Sequence, residues 1–208
     1  LYHIGMVFVP WGFHAKLATE QWVTIPMMLS NPWRLSLLFL VSGYASRALC
    51  VRHPGPWPFV RNRTARLLIP LIFGMAVIVP PQPWVELVTQ HGWAGGFLPF
   101  WSHDYFVFRR VDGIALPTWN HLWFVAYLWV YTLVFTAVLA ITPRGVRAAA
   151  QRGFKRLFGG VGALILPMAW LMLVSGVLFP GARETHEMIG DWVAHATYFP
   201  MFALGYAM

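Results

Sequence analysis

Two histidines interrupt the apolar stretch that opens the chain, and ionisable side chains inside a membrane span are costly enough to mark functional positions. If a helix of about twenty residues ends near residue 13, His3 lies close to the bilayer midplane. His14 follows eleven residues later, on nearly the same helix face and about 16 Å farther out. An imidazole at the midplane suits general-base chemistry. A buried histidine bonded to a backbone carbonyl would explain His3 equally well.

Two arginines occur three residues apart in Arg63-Thr64-Ala65-Arg66. Residues at this spacing share a helix face, so the two guanidinium groups would form a forked site for an anion such as a phosphate. Arginines at the inner end of a membrane helix also anchor to lipid phosphates, which accounts for most such pairs. The spacing alone therefore favours anchoring.

A polar pair, Asn120-His121, opens a later apolar run. Asn120 is a good helix-capping residue, and the pair would otherwise bond across helices or contact a substrate. No HExxH, CxxC or other regular ligand spacing surrounds the histidines, so we expect no metal site. Ser42-Gly43 lacks the GxSxG frame of a nucleophile elbow, and small residues inside a span more often serve helix packing.

The composition indicates which kind of element must position these residues. The 208 residues are 58% hydrophobic and only 11% charged, with a mean hydropathy of +0.58, which excludes an ordinary soluble domain. The net charge of +8 would suit nucleic acid only on a solvated basic face, whereas the basic residues here stand between apolar runs. We therefore expect the lipid bilayer as a partner and no nucleic acid.

Five apolar runs cross a bilayer core of about 30 Å wholly or in large part, and a sixth begins. They cover residues 1–13, 30–50, 67–83, 119–141, 161–179 and 193–208. We therefore predict an all-α fold, a polytopic transmembrane helix bundle forming one domain over residues 1–208. Because the chain begins and stops inside apolar runs, we expect a fragment of a larger protein, truncated at both ends.

The loops between these runs differ in charge. Ten of the 15 Lys and Arg residues lie at positions 47–66 and 144–156, while all seven acidic residues lie in the other loops. An excess of Lys and Arg marks the cytoplasmic side, so we predict that these two basic loops are cytoplasmic.

Eight tryptophans cluster on the predicted outer side: Trp11, Trp22, Trp33, Trp84, Trp93, Trp101, Trp119 and Trp192. An aromatic belt at the membrane interface explains this placement. The alternative is that some of the rings stack on a sugar acceptor. The only long loop, residues 92–117, is of a length that often carries function.

Taken together, four motifs resemble the membrane-bound acyltransferase-3 family, and most closely its glucan-modifying, succinyltransferase-like branch. They are Tyr2-His3-Ile4-Gly5, Leu38-Phe39-Leu40-Val41-Ser42-Gly43, Arg63-Thr64-Ala65-Arg66 before Leu67-Leu68-Ile69-Pro70, and His121-Leu122-Trp123-Phe124. Family members have about ten spans and transfer an acyl group from cytoplasmic acyl-CoA to a hydroxyl of a carbohydrate or another envelope molecule. The family's arginine upstream of the first-span histidine would precede Leu1.

The resemblance implies that His3 is the catalytic base and that Arg63 and Arg66 bind the acyl-CoA donor. No permanently bound cofactor is implied, and the location would be the bacterial inner membrane. We expect four further residues to guide an envelope carbohydrate or glucan acceptor from the outer side: Trp11, His14, Asn120 and His121. The main rival function is a transporter or exporter component for an anionic or carbohydrate solute. Broken helices in matching positions of two halves would favour that rival, and the sequence shows no such symmetry.

Overall fold

The computed structural model describes residues 2–10, 19–52 and 55–208, except for the side chains of residues 2 and 3. This part of the chain is mostly helical, which confirms the predicted helical class. The helices are α1 Tyr2–Gly5, α2 Gln21–Arg52, α3 Pro56–Phe73, α4 Pro81–Gln90, α5 Phe97–Pro99, α6 Trp123–Ile141, α7 Arg144–Leu157, α8 Gly162–Leu173 and α9 Trp192–Ala207.

Several shorter elements extend or join these helices. π-helical turns at Gly74–Ile78 and Val174–Leu178 continue α3 and α8, a third at Phe100–Asp104 continues α5, and a 3₁₀ turn at Asn120–Leu122 leads into α6. An all-α description omits one antiparallel hairpin, formed by β1 Arg109–Val111 and β2 Ile114–Leu116. Its two-residue turn, Asp112-Gly113, has positive φ at both positions, as Asp-Gly hairpin turns require.

Three helical stretches in the described residues are long and apolar enough to cross a membrane: Gln21–Arg52, Pro56–Gln90 and Asn120–Ile141. A fourth is formed if Arg144–Leu157 and Gly162–Leu178, which meet at a bend of 96°, count as one. These helices make the chain a multi-pass membrane protein. The count of five spans and the start of a sixth stays a prediction, because the first of them lies partly outside the described residues.

The predicted boundaries hold best late in the chain. The runs at 119–141, 161–179 and 193–208 correspond to Asn120–Ile141, Gly162–Leu178 and Trp192–Ala207. The first predicted run fits worst, because in its described part only Tyr2–Gly5 is helical and residues 6–10 form turns and bends, so the helix expected to end near residue 13 stops at Gly5. The next two helices are longer than predicted, since α2 begins nine residues before position 30 and α3 begins eleven residues before position 67. The predicted basic loops are therefore largely helical, because arginine is a good helix former and the apolar count detects only the hydrocarbon-embedded part of a helix.

The chain divides into two compact units. The first contains Leu1–Pro32 and Leu68–Phe124. It includes the segment predicted as a long loop, which instead folds around a core of Leu87, Phe100, Tyr105 and Leu116. The Tyr105 hydroxyl lies 2.8 Å from the carbonyl oxygen of Met75 and 3.1 Å from that of Thr118. Burial of aromatic side chains thus orders residues 92–117, which were predicted to form a long loop.

The second unit contains Trp33–Leu67 and Val125–Met208. Helices α2 and α9 approach closely there, since a Cβ at Gly43 would overlap the Phe202 carbonyl oxygen and a Cβ at Gly205 would overlap that of Leu40. Small residues permit this approach between membrane helices. The predicted packing role of Ser42-Gly43 is therefore confirmed for Gly43.

Candidate functional site

The first predicted site residues lie at the edge of the described part. His3 belongs to α1, but its side chain is outside the described residues, as are Trp11 and His14. Within the first unit, α1 is held against α2, because a Cβ at Gly5 would come within 2.6 Å of the Met27 sulfur. The backbone position of His3 is thus set by a close helix contact, and its predicted role stays a prediction.

Arg63 lies inside α3 and is only 9% exposed. Its Nη2 donates to the Ser42 hydroxyl oxygen on α2 at 2.8 Å. Among the described residues its Nε is buried without a hydrogen-bond acceptor, and no carboxylate pairs with the guanidinium. A buried cation with an unused donor lacks the partners that normally offset its loss of water, and an anionic ligand would supply them.

Arg66 lies one turn farther along α3, at the predicted i, i+3 spacing. Unlike Arg63 it is exposed. Between them, Thr64 accepts a hydrogen bond from Trp129 Nε1 on α6 at 3.1 Å, which fixes the rotation of α3 within the second unit. The two arginines therefore share a helix and differ in environment, so one is fixed by Ser42 while the other is open to solvent or lipid phosphate.

Asn120 and His121 meet a residue that sequence reasoning missed. Asn120 Nδ2 donates to Gln82 Oε1 on α4 at 2.9 Å, and Gln82 Nε2 lies 3.1 Å from His121 Nδ1. If the Gln82 oxygen accepts from Asn120, its amide nitrogen donates to His121, which leaves the imidazole proton on Nε2. Of the alternatives for this pair, the structure shows a bond across helices, with Gln82 as the partner, while contact with a substrate stays a prediction.

The sequence gives little signal for Gln82, since one glutamine among prolines and a tryptophan resembles an ordinary helix start. The backbone around the pair is unusual too. Asn120 has a φ of 44° and its N–H donates to the Thr118 hydroxyl at 3.2 Å. Asparagine tolerates the left-handed region better than most residues, because its short side chain bonds locally.

A second polar network, also missed, lies in the second unit. Asp191 is 2% exposed and its carboxylate accepts from the N–H groups of Thr185, His186 and Ala194 and from the Tyr127 hydroxyl. The available sequence signal was its place just before α9, where aspartate is a strong N-cap. The three N–H bonds order the turn before α9, and the Tyr127 bond fastens this turn to α6.

His195 extends this network without an evident free nitrogen. Its Nδ1 lies 3.0 Å from the Tyr131 hydroxyl and its Nε2 lies 3.0 Å from the Met188 carbonyl oxygen. Because a carbonyl only accepts, Nε2 donates to Met188, while the Tyr131 hydroxyl is the partner of Nδ1. An imidazole engaged at both nitrogens orders the helices and is poorly placed for proton transfer.

Five of the eight tryptophans predicted on the outer side occupy two kinds of environment. Trp22, Trp33 and Trp192 are exposed, as residues of an aromatic belt are. Trp84 and Trp93 instead pack against the core of the first unit, where Trp84 Nε1 donates to the Gly95 carbonyl oxygen at 3.2 Å.

Among the described residues no group of three or more His, Cys, Asp and Glu side chains could hold a metal ion.

Comparisons with known proteins agree with these motifs. The family profile of the acyltransferase domain matches residues 1–208. "Glucans biosynthesis protein C" of Salmonella gallinarum is 26% identical over 157 residues, which are 73% of this chain and 38% of that protein. The protein of the same name from Salmonella paratyphi B is 27% identical over 139 residues, or 64% of this chain and 33% of its own length.

The chain thus spans 33–38% of the length of these two curated relatives. No solved structure gives a significant match. The profile match extends from the motif around His3, through the arginine pair, to the end of α9. On that match the chain belongs to the acyltransferase-3 family.

Proposed function

We propose that the full-length protein is a membrane-bound O-acyltransferase that moves an acyl group from cytoplasmic acyl-CoA to a hydroxyl of an envelope carbohydrate or glucan. Family membership and the name of the relatives, which refers to glucan biosynthesis, support the reaction class and the acceptor. The observation that carries the donor side is Arg63, a buried arginine whose Nε has no acceptor among the described residues.

On the donor side, Arg63 and Arg66 bind the phosphates of acyl-CoA. Phosphate oxygens accept charge-assisted hydrogen bonds from guanidinium groups, often two at once. Ser42 holds Arg63 through Nη2 and leaves Nε for the ligand. Arg66, exposed one turn away, supplies a second cation with freedom to adjust.

In the chemical step, His3 removes the proton from the acceptor hydroxyl as its oxygen attacks the thioester carbonyl carbon. The new C–O ester bond forms, the C–S bond breaks, and the thiolate of CoA takes up a proton as it leaves. The protein needs no further co-reactant, because the thioester carries the activated acyl group.

On the acceptor side, we assign the guiding residues Trp11, His14, Asn120 and His121. The bonds from Gln82 to Asn120 and His121 support this assignment, since they fix both polar side chains at the start of α6.

The protein has five spans within residues 1–192 and a sixth that begins at α9, in the bacterial inner membrane. Its basic segments, residues 47–66 and 144–156, face the cytoplasm.

The test is transfer of radiolabelled acetyl or succinyl groups from CoA to envelope carbohydrate, in membranes containing the full-length protein. We expect label with the wild type, and its loss in His3→Ala and Arg63→Ala at unchanged membrane levels. Arg61→Ala is the matched control, because Arg61 is exposed on the same helix and should be dispensable. Folded protein that transfers neither group would favour the transporter function instead.

A further inference from the structure

Helix α7 has an unusual charge distribution. Its 14 residues include no acid and five cations, which are Arg144, Arg147, Arg152, Lys155 and Arg156. None of its side chains is buried, and no carboxylate of the described residues pairs with any of the five cations. Five unpaired positive charges on one short helix repel one another unless an anionic partner lies nearby.

The apolar residues of α7 lie on one face. Val146, Ala150, Gly153 and Leu157 follow the spacing of an amphipathic helix, and most of the cations lie on the opposite side. Val146 is 55% exposed and Leu157 is 63% exposed. The described protein therefore leaves this apolar stripe uncovered, with a cationic stripe on the opposite side of the helix.

The orientation of α7 matches a membrane surface. Its axis makes an angle of 96° with the apolar stretch Gly162–Leu178 that follows. When that stretch lies along the bilayer normal, α7 lies in the plane of the interface. Gln151 Nε2 donates to the Ala207 carbonyl oxygen at 2.9 Å, so the end of α9 holds α7 at the end of the bundle.

We infer that α7 is an interfacial helix that binds the phosphates of anionic phospholipids, with its apolar stripe in the acyl-chain boundary. The helix is continuous in sequence with the predicted span of residues 161–179, so the bilayer is a partner that reaches both stripes at once. Each Lys or Arg beside an anionic surface strengthens the attraction about fivefold. This inference does not depend on which reaction the protein catalyses.

The first test measures depth with spin labels on the full-length protein in nanodiscs, after native cysteines are replaced by serine. Labels at Leu157→Cys and Lys155→Cys are compared by their collisions with oxygen and with a water-soluble nickel chelate. We expect the Leu157 label to favour oxygen and the Lys155 label to favour nickel, with a larger difference in phosphatidylglycerol than in phosphatidylcholine. Equal nickel access at both labels, or shielding of the Leu157 label from both agents by protein, would overturn the inference.

The second test measures lipid selectivity. Arg152→Gln with Arg156→Gln should reduce the enrichment of phosphatidylglycerol over phosphatidylcholine in co-purified lipid about fivefold for each cation removed. The control, Arg109→Gln with Arg110→Gln in the hairpin, removes the same charge from another surface and should keep the enrichment. Equal losses in the two variants would show that only net charge matters, and would exclude a site on α7.

Discussion

Arg63 on α3 donates from Nη2 to the Ser42 hydroxyl on α2 over 2.8 Å, and this bond joins the arginine motif to the serine-glycine motif. At Gly43, the next residue, the backbone of α9 lies so close to α2 that a Cβ would overlap the Phe202 carbonyl oxygen. In this short stretch of α2, the Ser42 side chain therefore orients the buried Arg63. The missing side chain of Gly43 leaves room for the backbone of α9.

Ser42→Ala should destabilise the protein by about 1–3 kcal/mol, because it leaves a buried charged donor without its acceptor. The expected result is a lower midpoint of thermal unfolding for the full-length protein in detergent. Ser30→Ala is the control, since within the described ranges the Ser30 hydroxyl bonds only to backbone oxygens of its own helix. Equal midpoints for the two variants would contradict a structural role for the Ser42 bond.

Gly43→Ala should also destabilise the protein, because its methyl group would overlap the Phe202 carbonyl oxygen, a backbone atom that cannot swing aside. Overpacking of this kind costs typically about 1–3 kcal/mol and forces helices apart. The variant should unfold at lower temperature and give less monodisperse protein on gel filtration. Gly176→Ala is matched to it, because a Cβ there meets open space. The close contact of α2 and α9 would be in doubt if both variants behaved like the wild type.

The buried phenol of Tyr105 should make the stability of the folded protein depend on pH. Its burial raises the pKa of the phenol to about 12, from an ordinary value of about 10. The folded state therefore holds the phenol proton of Tyr105 more tightly than the unfolded state does. The resulting stabilisation of the folded state is complete below pH 10. It is lost as the pH rises from about 10 to about 12, by at most about 1.4 kcal/mol per pH unit.

Thermal unfolding over this pH range would measure the effect. Tyr105→Phe should be less stable at neutral pH, because it loses the bonds to Met75 and Thr118, and should show a shallower decline above pH 10. Tyr44→Phe retains Tyr105 and should keep the wild-type slope. Identical slopes in all three proteins would show that Tyr105 does not titrate in this range.

Hydrophobic runs and motif spacing predicted the helical class, the late helix boundaries and the packing role of Gly43. They missed features that depend on contacts between distant residues. The core of Leu87, Phe100, Tyr105 and Leu116 joins residues up to 29 positions apart, which no local pattern reveals. Counting Lys and Arg residues led to the prediction of a loop at residues 144–156. Such a count gives the net charge of a segment but does not detect the amphipathic spacing of a helix.

The sequence likewise predicted some features of the candidate site and missed others. The i, i+3 spacing placed Arg63 and Arg66 on one helix, but only packing against α2 makes one buried and the other exposed. Asn120 and His121 were identified by their polarity at the start of an apolar run. Gln82 was missed because its importance comes from a fold that brings α4 beside the start of α6.

Gln82→Leu tests whether this polar cluster serves the acceptor. The substitution keeps the approximate volume and removes the bonds that hold Asn120 and His121. If the cluster positions the acceptor, KM for the carbohydrate should rise about tenfold, equivalent to about 1.4 kcal/mol, while KM for the acyl donor stays unchanged. The measurement is steady-state acyl transfer by the full-length protein with each substrate varied in turn.

Gln90→Leu at the exposed end of α4 controls for the loss of an amide from that helix. A parallel rise in both KM values would indicate general damage. A fall in kcat with both KM values unchanged would mean that the cluster acts in the transition state only, and the proposed acceptor-binding role would then be wrong. A selective rise in acceptor KM, absent from the Gln90 variant, would extend the acceptor site from the two residues visible in the sequence to the glutamine that fixes them.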